Sequence, residues 1–89
     1  MKSPIKRLAI NQIMKVVLSA SDCRGPEANL AATVIAKAIN DSLTMAEARR
    51  SLMPGGGCEL WAEALGLRAE YPREIAETLG YMQRERISA

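Results

Sequence analysis

Apolar residues recur along most of the chain at intervals of three and four, with no sustained apolar–polar alternation, so helices packed on helices are predicted. The clearest stripe begins near Glu27. There Leu30 with Ala31, Val34 with Ile35, Ala38 with Ile39 and finally Leu43 recur on a four-residue spacing. Ala32 and Ala36 lie off the main rows, where small side chains let another helix approach closely. Ahead of this stripe, Ser3-Pro4 has the form of a helix opening, and a first helix is predicted from there to about Ser19. Its apolar residues fill two adjoining rows, Ile5, Leu8, Ala9, Ile13, Val16 and Val17 beside Ile10, Met14 and Leu18. So wide an apolar surface needs cover on more than one side, which makes this the expected central helix of a small bundle, or alternatively a dimer seam. Ser21 to Pro26 breaks the pattern.

Thr44-Met45-Ala46-Glu47 has the spacing of a capping box, which places a third helix from there to about Leu52, with Met45, Ala48 and Leu52 inward and Arg49-Arg50 outward. Pro54-Gly55-Gly56-Gly57 ends it. A triple glycine before a helix can cradle a phosphate, but no G-x-x-x-x-G-K-[ST] pattern accompanies it, so the run is read as a flexible connector. Cys58, Trp61, Ala62, Leu65 and Leu67 then share one side of a short helix that Gly66 closes in a left-handed conformation. A last helix runs from about Glu70 to Leu79, with Pro72 in its first turn, Ile75, Ala76 and Leu79 inward, and Gly80 at its end. The chain is thus read as a single all-α domain over 1–89, a small bundle of four to five helices. It divides into a basic first helix and linker (1–24), helices 2 and 3 (27–53) and a C-terminal helix pair (58–82).

Composition narrows this picture. With 89 residues, a hydrophobic fraction of 48% and only Trp61, Tyr71 and Tyr81 as aromatics, the core must be aliphatic and alanine-rich, and a homo-oligomer is expected to supply missing burial. The net charge is only +2, but it is unevenly spread. Residues 1–24 hold Lys2, Lys6, Arg7, Lys15 and Arg24 against Asp22, whereas 58–83 hold Arg68 and Arg73 against Glu59, Glu63, Glu70, Glu74 and Glu77. Cys23 and Cys58 stand alone and histidine is absent, so neither a metal centre nor any other cofactor is expected. Nucleophile, base and oxyanion donors cannot be assigned, and the chain is read as a non-enzyme. Apolar runs fall far short of the ~20 residues that span a bilayer, and the expected location is cytoplasmic, without membrane contact.

Residues 58–80, two short helices with Ala62 and Gly66 four apart and a glycine turn between, match the outline of a helix-turn-helix. The succession A-A-T-V-I-A-K-A-I-N-D, A-E-A-R-R-S-L, C-E-L-W-A-E-A-L-G-L and E-Y-P-R-E-I, over residues 28–79, resembles small helical proteins encoded by phages and prophages. Their turn reads G-L-D-P-E-Y-V-R. This chain departs from it at Arg68, Ala69 and Pro72, and has Ser51 where a second aromatic residue would stand. Most such proteins are of unknown function, and some related stretches are similar to parts of helix-turn-helix regulators; with the outline of residues 58–80, the expectation is a phage-type transcriptional regulator, dimeric on double-stranded DNA. Its phosphate and base contacts would come from Lys2, Lys6, Arg7, Arg49, Arg50, Arg68, Arg73, Arg84 and Arg86. Glu74 and Glu77 on the second helix of the pair oppose that expectation, because carboxylates are repelled by phosphates. The alternative is a protein-interaction module or small inhibitor that docks on a host or self protein through its helical faces.

Overall fold

In the computed structural model, which describes residues 8–82, five helices pack into a small all-α bundle: α1 (Ile10–Ala20), α2 (Pro26–Asp41), α3 (Ala46–Leu52), α4 (Cys58–Ala64) and α5 (Tyr71–Thr78). None of the described residues is in a strand. The central helix is α2, not α1. It packs against each of the other four helices, most extensively α1 and α4. The reason lies in its alanines: Ala28, Ala31, Ala32 and Ala36 are buried together with Ile35 and Ile39, so the helix is covered on two sides and its neighbours come in close.

The first helix is shorter and more one-sided than its pattern predicts. Leu8 and Ala9 are not helical, and Ala9 is the N-cap, its N–H donating to the Gln12 side chain at 2.8 Å. A start at Ser3-Pro4 with continuous helix to Ser19 is therefore ruled out by Leu8 and Ala9, while Ser3 and Pro4 themselves lie outside the described residues. Ile13 and Val17 from the first row are fully buried, whereas Val16 from the same row and Ile10 from the second face solvent, and Met14 and Leu18 are half-buried. One narrow strip is enough because α1 lies on the surface of α2 rather than between neighbours.

Beyond α2 the register slips by one. Met45 N–H bonds the Asp41 carbonyl at 2.8 Å, so the N-cap of α3 is Met45 and Glu47 falls at the second helical position. Thr44 and Glu47 consequently form no capping box, and Met45 is exposed instead of facing inward. Leu52 alone of the three predicted inward residues is buried; Ala48 is half-buried.

The glycine run is not merely a connector. Gly56 lies so close to the end of α3 that a Cβ there would overlap the carbonyl oxygens of Arg50 and Ser51, and its N–H bonds Met53 O at 2.9 Å. Close approach of backbone to backbone is what demands glycine here. The loop thereby folds α4 back toward α3 and onto α2.

Candidate functional site

The α4–α5 pair turns as its sequence predicts. Gly66 has φ +72°, Leu67 N–H reaches Ala62 O at 2.9 Å and Gly66 N–H reaches Glu63 O at 2.9 Å, the two bonds of a Schellman ending. Tyr81 and Gly80 repeat the arrangement at the end of α5, through Ala76 O and Glu77 O. Inside the pair, Cys58, Ala62, Leu65, Pro72, Ala76 and Leu79 are buried. Ile75 is half-buried beside them. Trp61 is the departure: predicted on the inner side, it is 38% exposed. Ala62 meets the alanine-rich surface of α2 in its place, and the close approach pushes the indole to the edge.

Ser21 and Tyr81, which carried no signal in the sequence, join distant parts of the bundle, and Ser42 closes the end of α2. Ser21 is buried in the α1–α2 loop; its Oγ donates to Leu65 O at 2.6 Å and accepts from Cys23 N–H at 3.0 Å. Ser42 is fully buried at the end of α2, donating to Ile39 O at 2.6 Å. The Tyr81 hydroxyl accepts from Leu8 N–H at 3.1 Å, tying the end of the bundle to its beginning. The Ser21–Leu65 and Tyr81–Leu8 bonds join residues far apart in sequence, and only the fold reveals them.

The expected DNA-contacting residues meet different fates. Lys2, Lys6, Arg7, Arg84 and Arg86 lie outside the described residues. Arg49 points its guanidinium at the C-terminal end of α2, Nε donating to Ser42 O at 2.6 Å and Nη2 to Leu43 O at 3.0 Å, where the helix dipole favours a cation. Arg50 is exposed on α3. Arg68 pairs with Glu74 across the turn, although both side chains are well exposed and such a pair contributes little. Arg73 is half-buried, its Nε enclosed without a hydrogen-bond partner among the described residues. Arg68 and Arg73 share the α4–α5 unit, and Arg49 and Arg50 share α3, which packs on α2 and α4. Between Leu8 and Met82 seven Lys and Arg stand against nine Asp and Glu, so this body is net acidic and the positive balance of the chain resides in its ends.

Two clefts flank the pair. One, of about 240 Å³, lies between α1 and α5, walled by Ile13, Val16, Tyr71, Ile75 and Leu79, with Arg68 and Glu74 beside it. Burial, and to a lesser degree the Glu74 charge, raises the Tyr71 pKa above the ordinary phenol value. The larger cleft, about 550 Å³, opens between the first turns of α2 and the outer face of α4. Leu30, Ala31, Trp61 and Ala64 supply its apolar wall, and Arg24 and Glu27 its charged edge. Leu30 is 58% exposed, and Leu60, one turn from Ala64 on the same face of α4, is 68% exposed. The three large apolar side chains thus crowd one face.

Arg24 is fixed in place: its Nη1 donates to the carbonyls of Leu18, Ser21 and Cys23 at 3.1, 2.8 and 2.7 Å. The Cys58 thiol is buried against Ser51, and burial raises its pKa more than the hydroxyl contact lowers it, so it is a poor nucleophile. Among the described residues no group of His, Cys, Asp and Glu has the makings of a metal site, and no helix is long and apolar enough to cross a membrane. Comparison with family models, with curated proteins and with solved structures finds no match for this chain.

Proposed function

We propose that this chain is a protein-interaction module of the cytoplasm, working by binding rather than by catalysis, whose docking face is the groove between α2 and α4. The observation that carries the reading is the exposure of Leu30 and Trp61 in the walls of that one groove, with Leu60 exposed beside Trp61 on α4. Scattered exposed apolar residues need no explanation, whereas a contiguous set with a tryptophan beside a concave surface is the pattern of an interface anchor. The net-acidic body supports the same direction, since it favours a protein over a polyanion. A photo-crosslinking residue of similar apolar character placed at Leu30, an exposed position, tests it in living cells. A discrete adduct is expected at position 30, lost on Trp61→Ala, and none from the same residue at Ser19 on α1. No adduct at position 30 would sink the reading.

A second reading, a phage-type DNA-binding regulator, draws support from the left-handed Gly66 turn between two short helices and from the exposure of Arg68 beside its partner Glu74. Phosphate neutralisation then falls to Arg50, Arg68 and the basic ends of the chain. Fluorescence anisotropy of a labelled mixed-sequence duplex should show affinity that drops steeply with salt and weakens on Arg68→Ala. Duplex left unbound at low salt by the pure protein refutes it.

A further inference from the structure

We propose that the groove between α2 and α4 is filled by a second copy of this chain, the two copies related by a two-fold axis so that each groove faces the other. This rests on the groove being a docking face. The charge at its edge selects the occupant. Arg24 and Glu27 stand on either side of Gly25-Pro26 at the same rim, one cation and one anion next to an apolar floor. A surface of that kind is matched by itself: a two-fold rotation can bring Glu27 of one copy to Arg24 of the other, twice, while Leu30 and Trp61 of the two copies close over one another. A partner of a single charge sign would leave one rim residue opposed by its like. Arg24 is also held rigid by three carbonyls, so its charge is already in place before association.

The core supplies the second reason. Among the described residues six of the fifteen buried apolar ones are alanines, namely Ala28, Ala31, Ala32, Ala36, Ala62 and Ala76, which bury little area for their number. A chain of 9.7 kDa with such a core is short of burial, and covering Leu30, Leu60 and Trp61 supplies some. The face is small: its walls on the first turns of α2 and on α4 are each roughly 10 Å long and two helix widths are roughly 20 Å, about 200 Å² per copy, in the range of weak and transient contacts. The dimer is accordingly weak and reversible, and forms at high protein concentration.

Trp61 is the one tryptophan of the chain, so its emission reports this groove alone. Sedimentation velocity of the full chain from about 5 to 500 µM should show the mass rising from monomer toward dimer, with Trp61 emission moving to shorter wavelength along the same curve. Leu30→Glu should hold the protein monomeric with its emission at longer wavelength and its circular dichroism unchanged. Glu27→Arg, which sets like charges against each other, should weaken association at least tenfold at low salt. A monomer throughout the range overturns the proposal, as does a dimer that Leu30→Glu leaves intact with unaltered Trp61 emission. The crosslink at position 30 separates the two levels. An adduct of two copies supports both, an adduct with a different protein overturns the second copy while keeping the docking face, and no adduct overturns both.

Discussion

Ser21→Ala removes a single oxygen, and the structure gives that oxygen an unusual amount to do. Its hydroxyl donates to Leu65 O and accepts from Cys23 N–H, joining the α1–α2 loop to the end of α4 across 44 positions of sequence. Leu65 is buried, and its carbonyl accepts no other hydrogen bond among the described residues, so the substitution leaves it unpaired. A buried polar group stripped of its partner costs about 1–3 kcal/mol, and the second bond about 1 kcal/mol, for a combined loss of about 2–4 kcal/mol. No cavity of consequence is created. A chain of this length has about 4–13 kcal/mol in total, so the loss is a large share and corresponds to a fall in Tm on the order of 10 °C or more. Ser19→Ala is the matched control: its hydroxyl donates to Lys15 O within α1, on the surface, where such changes stay within about 0.5 kcal/mol. Urea denaturation followed by far-ultraviolet circular dichroism measures both, with equal slopes expected. If Ser21→Ala proves no more destabilising than Ser19→Ala, the clasp between loop and turn contributes nothing and the reasoning fails.

Gly56→Ala forces a Cβ into the carbonyls of Arg50 and Ser51, backbone atoms that cannot rotate aside, and should lower stability by about 2 kcal/mol or more in the same urea assay; wild-type stability would mean the loop can simply shift. Burial raises the pKa of both Cys58 and Tyr71, so the native state holds protons that the unfolded chain releases at lower pH. Stability from these groups is complete below the unfolded values, about 8.5 for a thiol and 10 for a phenol, and is lost as pH climbs through the raised native ones. Tyr71→Phe should therefore lose less stability than the native sequence above pH about 10, and parallel curves would count against a protonated, buried phenol.

Much of this architecture is written in local pattern. The four-residue spacing from Leu30 to Leu43 places α2 within a residue or two, and Gly66 and Gly80 mark the ends of α4 and α5 because a left-handed residue is a local requirement. What local pattern does not carry is which apolar face finds a neighbour. Ile10, Val16 and Trp61 read as core by spacing and lie exposed, since the alanines of α2 draw α1 and α4 in on narrower strips. Thr44 and Glu47 show the same limit on a smaller scale: a turn closed by Asp41 moves the helix start by one residue and the motif loses its geometry. The groove between α2 and α4 is illegible for this reason, because Leu30 and Trp61 are 31 positions apart and are brought together only by the packing of α4 on α2. Arg49 and Arg68 read as surface cations, and nothing nearby in sequence announces that one meets the end of α2 and the other Glu74.

The central position of α2 has a consequence for the order in which the bundle assembles. Its most extensive partner, α1, immediately precedes it, so the two form an antiparallel hairpin across the short loop 21–25, with low contact order and little loop entropy to overcome. During synthesis that hairpin leaves the ribosome before any residue of α3 to α5, carrying the surface on which all three will settle. Ser21 sits in the loop of this early unit and waits for Leu65, the last residue before the glycine turn. Ala32→Gly is therefore expected to slow folding and Ala76→Gly mainly to speed unfolding, a difference that the two arms of a urea chevron measure.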